Sequence, residues 1–155
     1  MKSALQTIAL AAPVVEETER GALGLAAPYW AEIRRLTVGL VTARVHERGV
    51  DLRLARAVTL FRFGPARTAT TPGLVECRFA ITGGLLAKEE RGWLIFTQRL
   101  TVPPRLEVAV EDYVPMLSSH RQRLSARHFV YREVQERAHR AIGQRYLERM
   151  ARRAR

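Results

Sequence analysis

The sequence predicts an α+β domain in which six or seven antiparallel strands pack on one long C-terminal helix. Three observations lead there. From Leu36 to Tyr113, apolar residues recur at every second position in runs bounded by glycine, proline or charged turns. After Ser119 the apolar period lengthens to that of a helix, and no proline interrupts it as far as Met150. A chain of 155 residues with 47 % hydrophobic content can bury one real core, so residues 1–155 are expected to form a single domain.

Taken in order, residues 4–11 form a first strand, ended by Pro13. Residues 14–35 read as two short helices broken at Gly21-Ala22-Leu23-Gly24. Pro28 suits the first turn of the second helix, and Tyr29, Trp30, Ile33 and Leu36 give it an apolar face. Val38, Leu40, Thr42 and Val45 belong to a strand that ends at the turn His46-Glu47-Arg48-Gly49. Val50–Leu54 alternates cleanly, and Val58–Phe63 follows, stopped by Gly64-Pro65. Thr70-Thr71-Pro72-Gly73 has turn chemistry. Leu74–Ile81 alternates again, Lys88–Gly92 makes a hairpin turn, and the strand Trp93–Val102 ends at Pro103-Pro104. Arg105–Tyr113 is the last strand. Ser119 with Gln122 three residues on has capping-box spacing and opens the helix.

On that helix Leu124, Val130, Tyr131, Val134, Ala138, Ala141, Ile142 and Tyr146 fall in one stripe, which is expected to face the sheet. Phe129 and Leu147 lie on the other side and point to a homodimer contact. Gly143 costs about 1 kcal/mol relative to alanine and predicts a kink or an end. Residues 151–155 are expected to be a frayed basic tail. Residues 120–155 carry 11 Arg against 3 Glu, a net +8 of the chain's +11.

Of the 26 basic residues only Lys2 and Lys88 are lysines, an arginine skew that fits a GC-rich bacterial genome. Arginine also suits phosphate and carboxylate, because its planar fork bonds bidentately. The lone cysteine, Cys77, excludes an internal disulfide and a multi-cysteine metal site, and fits a reducing, cytoplasmic setting. The N-terminal apolar run, interrupted by Gln6 and Thr7, reads as a strand rather than a signal peptide. No stretch approaches the roughly 20 apolar residues of a membrane span.

Dinucleotide and phosphate-loop motifs are absent. The histidines His46, His120, His128 and His139 include no pair at helical i, i+4 spacing. His128 and His139 are about 16 Å apart along an ideal helix, too far to share a metal. No metal and no cofactor are therefore expected. Cys77, between Val75 and Phe79 on an inward row, reads as a small hydrophobe. Glu111 and Asp112 are the acid/base candidates.

Gln98 shares a face with Leu94, Phe96 and Leu100. A buried amide must find partners or cost about 1–3 kcal/mol, so Gln98 is either a satisfied core amide or a hydrogen-bonding group in a ligand cavity. Tyr131 could direct its hydroxyl into the same space. The candidate ligand-binding residues are Gln98, Tyr131, Cys77, Phe96, Val134 and Tyr113.

The order strand, two short helices, six antiparallel strands and long helix resembles the START-like helix-grip superfamily of polyketide cyclases and lipid-transport proteins. Pro28-Tyr29-Trp30 before the second strand is similar to the proline and aromatic cluster of many members. The resemblance implies a curved sheet wrapped on the C-terminal helix, an apolar cavity between them and a hydrophobic small-molecule ligand. Some members cyclise or hydrolyse that ligand. The expected function is thus binding of an apolar or amphipathic small molecule in a sheet–helix cavity. The alternative is an interaction protein whose basic C-terminal helix binds nucleic acid, anionic membrane or an acidic partner.

Overall fold

The computed structural model describes the backbone of residues 2–87, 89–113 and 126–155, with side chains for residues 4–87, 89–112 and 135–155. In chain order its elements are β1 (Lys2–Ala9), α1 (Glu19–Leu23), α2 (Ala27–Leu36), β2 (Val41–His46), β3 (Gly49–Leu54) and β4 (Val58–Phe63). There follow β5 (Arg67–Thr71), β6 (Leu74–Gly83), β7 (Trp93–Arg99), β8 (Arg105–Tyr113) and α3 (Ala126–Arg153). Every strand pairing is antiparallel. The strands form one open, curled sheet in the order β1-β8-β7-β6-β4-β3-β2, with β5 also paired to β6. This α+β arrangement is compatible with a helix-grip architecture.

The sheet has eight strands rather than six or seven. The addition is β5: Arg67-Thr68-Ala69-Thr70-Thr71 is largely exposed and shows no apolar alternation. It continues the path of β4 along β6, because Phe63 pairs with Ile81 and Arg67 pairs with Arg78. Gly64-Pro65 divides the two, since proline cannot donate to the ladder.

The second strand begins at Val41, not Val38. Thr37 explains why: its Oγ1 donates to Ile33 O at 2.8 Å and accepts from Val41 N–H at 3.0 Å. One hydroxyl thereby ends α2 and starts β2.

Helix α2 forms where the sequence places it, with proline in its first turn. Its buried side packs aromatic rings against the inner face of the sheet. Trp30 lies 5.5 Å from Phe63 and 5.6 Å from Phe79; Tyr29 lies 5.1 Å from Phe96 and 5.6 Å from Tyr146 of α3. Most of these rings meet edge-on, an arrangement worth about 0.5–1.5 kcal/mol per pair beyond area burial.

The C-terminal turns of α3 bury Tyr146, Leu147 and Met150, while Ala138 and Ala141 are exposed. The buried face is therefore rotated about 100°, one residue step, from the stripe read in the sequence. Leu147, expected to face away toward a second subunit, is only 4 % exposed within the single chain. The side chain of Phe129 lies outside the described residues, as do Leu124, Val130 and the Ser119–Gln122 cap. The helix runs unbroken through Gly143. A Cβ there would overlap Gln6 Oε1 of β1 and touch Val108 Cγ1 at 3.4 Å, so glycine permits helix and strand to approach closely. Helix α3 continues to Arg153, and Ala151 and Ala154 pack against the core.

On the outer face Ile95 and Thr97 are also buried. Their ladder partners are Arg78, Glu76, Ala109 and Glu107. Arg78 pairs with Glu76, Arg99 pairs with Glu107 at 3.1 Å, and the stems of these long side chains cover the strand. Among the described residues no helix is long and apolar enough to cross a membrane.

Candidate functional site

The sequence-predicted site residues on the sheet do come together. Cys77 and Phe96 are directly paired across β6 and β7, and Gln98 is paired with Val75, two residues from Cys77. All three are 0 % exposed, so no water-sized space touches them. Gln98 is a satisfied core amide. Its Oε1 accepts from Val14 N–H at 2.7 Å and Val15 N–H at 3.1 Å, and its Nε2 donates to Val15 O at 2.9 Å. It fastens the connection between β1 and α1 to β7. Phe96 belongs to the aromatic cluster, with Tyr29 and Tyr146 against it. Burial, reinforced by the neighbouring Glu76 carboxylate, pushes the Cys77 thiol up to about 11, so it is protonated and inert at neutral pH.

Over the described residues, the inner face of the sheet beside Cys77, Phe96 and Gln98 is packed with aromatic rings. The physical reason is that α2, rather than α3 alone, supplies the inner layer. The side chains of Tyr131, Val134 and Tyr113 lie outside the described residues. Glu111 and Asp112 stand exposed at the end of β8, without the burial a tuned acid or base requires.

Open concave space lies elsewhere, between α2 and β2. Trp30, Ala31, Arg34, Arg35, Val38 and Ala43 line a groove of about 680 Å³, and Gly39 and Thr42 complete it. The groove owes its shape to local sequence. Thr37 pins the helix end to the strand start, and Ala31 and Ala43 are too small to fill the gap between them. The last turn of α2 presents Arg34 and Arg35, cations that also complement the helix C-terminus. Trp30 forms the aromatic base of the groove and is backed by Phe63 and Phe79.

Beneath this rim lies a buried carboxylate. Glu32 is 1 % exposed, and its Oε1 receives Arg35 Nη1 at 2.8 Å and Arg149 Nε from α3. Removing one partner from such a carboxylate leaves charge uncompensated in the core, which is costly. The pair fixes Arg35 in the groove wall and ties α2 to α3. A second buried contact joins the same helices: Tyr29 Oη and His139 Nδ1 lie 3.3 Å apart. Burial holds His139 below its ordinary pKa and raises that of Tyr29. Among the described residues no group of histidine, cysteine and carboxylate side chains could hold a metal ion.

The helix face of Tyr29 and Trp30 is legible in the sequence, whereas the groove beside it is not. Glu32 carried a signal: three residues after Tyr29 and one before Ile33, it falls on the apolar face of the helix. A carboxylate there demands a cation. Compared with known proteins, the sequence matches no family model, and no curated protein is detectably similar to it.

Proposed function

We propose that this protein binds an amphipathic small molecule bearing an anionic head in the groove between α2 and β2. One observation carries this reading: an aromatic and aliphatic floor (Trp30, Ala31, Ala43) lies directly beside two guanidinium groups, Arg34 and Arg35. Ligand sites combine apolar walls with a few placed polar groups, commonly in about 300–1,000 Å³, and this open groove falls in that range of volume. The guanidinium fork suits carboxylate or phosphate, and the tie to Glu32 orders Arg35 before a ligand arrives. A START-like helix-grip protein is the family reading that this proposal fits.

The test is titration with dodecanoate and with dodecanol, followed through tryptophan fluorescence. The acid is expected to bind about tenfold more tightly than the alcohol, and R34Q, which leaves the Glu32 pair in place, should reduce that preference while leaving alcohol binding. Equal affinities in the native protein, or binding of neither, would refute the proposal. Mass spectrometry of material co-purifying with the native protein then identifies the physiological ligand.

A second reading rests on α3. Arg140, Arg145, Arg152 and Arg153 are exposed, and Glu136 and Glu148 are the only acidic residues among 135–155. These arginines ring the helix rather than line one ridge, so any hold on a nucleic-acid backbone would be non-specific, with affinity falling steeply as salt rises.

A further inference from the structure

Single exposed apolar side chains are ordinary, whereas a gathered set marks a contact surface. Five gather at one end of the half-sheet β2–β4: Val38 is 91 % exposed, Leu40 60 %, Leu54 39 %, Val58 40 % and Leu85 51 %. The backbone brings them together. Leu54 pairs with Val41 on one side and Val58 on the other. Ala55 N–H donates to Leu40 O at 2.7 Å, and Leu85 N–H donates to Thr59 O at 3.0 Å. The turns after α2, between β3 and β4, and after β6 therefore form one tip, on which residues 54–58 are all exposed. Val38 sits at φ 53, a conformation costly for a β-branched residue, and it holds its side chain in solvent.

Arginines neighbour this tip along the chain. Arg34 precedes the first turn and Arg56 lies in the second, both exposed, while Arg35 is paired with Glu32 and Arg53 is half-buried. The acidic residues in the stretch 34–58 are Glu47 and Asp51. Glu47 lies in the opposite turn of the β2–β3 hairpin, and Asp51 faces His46 at 3.3 Å near that far end. Glu89 and Glu90, further along the connection that carries Leu85, offset part of the charge. With a chain charge of +11, a second copy approaching this end meets repulsion. An apolar tip flanked by the exposed Arg34 and Arg56 complements another surface, the anionic bilayer. There the aliphatic side chains enter the acyl boundary and the arginines meet the phosphates.

We propose that the tip formed by Val38, Leu40, Leu54, Val58 and Leu85 docks the protein on anionic lipid bilayers. The inference goes beyond the groove reading and stands without it. The two surfaces adjoin, since Val38 also lines the groove, so docking would bring the groove mouth to the lipid headgroups.

The experiment is co-sedimentation of the full chain with phosphatidylcholine vesicles and with vesicles containing about one third phosphatidylglycerol. Size-exclusion chromatography and circular dichroism are run on every variant. Binding is expected to the anionic vesicles only. V38D/L40S should weaken it at least about tenfold, and R56Q by about fivefold with a shallower salt dependence. Aspartate tolerates a left-handed backbone better than valine, so V38D should not unfold the chain. R140Q/R152Q on α3 should bind within about twofold of the native protein, because those residues lie off the tip. The proposal is overturned if V38D/L40S binds like the native chain or if only R140Q/R152Q loses binding. Equal capture by neutral vesicles also overturns it, as does a dimer that V38D/L40S dissolves without any vesicle binding.

Discussion

Gln98→Leu separates a structural amide from a ligand-binding one. The substitution keeps side-chain volume in a fully buried site but strands three backbone groups, Val14 N–H, Val15 N–H and Val15 O. Each hydrogen bond is worth about 0.5–1.5 kcal/mol net, and a stranded buried group costs about 1–3 kcal/mol. Val14 and Val15 are only half-buried, so water recovers part of that loss. The expected destabilisation is about 2–4 kcal/mol. For a chain of this length, 1 kcal/mol moves Tm by about 2–4 °C, so the shift should be roughly 5–12 °C downward. Urea denaturation followed by circular dichroism measures it directly, with an unchanged m-value confirming that the native and denatured states keep their extents. Dodecanoate affinity, measured well below the new midpoint, should be unchanged, because Gln98 does not reach the groove between α2 and β2. A midpoint within experimental error of the native protein, or a loss of ligand affinity without loss of stability, would refute the structural role.

Three further outcomes follow from buried contacts. Cys77 should resist an aromatic disulfide reagent in the folded protein at neutral pH and react stoichiometrically in urea; rapid native labelling would contradict its burial and raised pKa. Burial lowers the His139 pKa in the folded chain, so the unfolded chain binds the proton first as pH falls below about 6.5, and stability is lost from there through the folded value. His139→Leu should flatten the stability difference between about pH 7.5 and about pH 5, and an unaltered difference would count against the assignment. Gly143→Ala gains about 1 kcal/mol of helix propensity but displaces Gln6, whose Nε2 donates to Arg140 O at 3.0 Å. The single change should therefore be near neutral, whereas added to Gln6→Ala it should stabilise by about 1 kcal/mol; strict additivity in the double-mutant cycle would show that the two residues do not interact.

The strands of the sheet were legible wherever one face is buried, because burial is what imposes a period of two. Leu74–Ile81 and Val50–Leu54 are such cases. Arg67–Thr71 was not, since an almost wholly exposed strand needs no apolar alternation and is selected by its ladder with β6. The face of α3 was misjudged for a related reason. Helical periodicity treats Ala138, Ala141 and Gly143 by residue type, whereas the observed face is set by how closely β1 approaches glycine. The candidate site was least legible. Gln98, Phe96 and Cys77 were correctly placed on one buried row, but whether a row faces a void or a neighbouring ring depends on long-range packing. Here Tyr29 and Tyr146, more than a hundred residues apart, close that space.

The break at Gly64-Pro65 divides two ladders along β6. β4 joins β6 through a short ladder at Arg62 and Phe63, extended where Leu85 and Leu86 N–H donate to Thr59 O and Leu60 O, while β5 continues along β6 on the far side of the break. In the ladder, the hairpin β2–β3 reaches the main sheet through β4. Of the two groove walls, α2 is held to α3 through Glu32 and Arg149, and β2 is held to β3 by its ladder and to α2 by the Thr37 hydroxyl. The groove thus spans a seam between the helical layer and one end of the sheet, and the hydroxyl that closes that seam lies outside the groove lining.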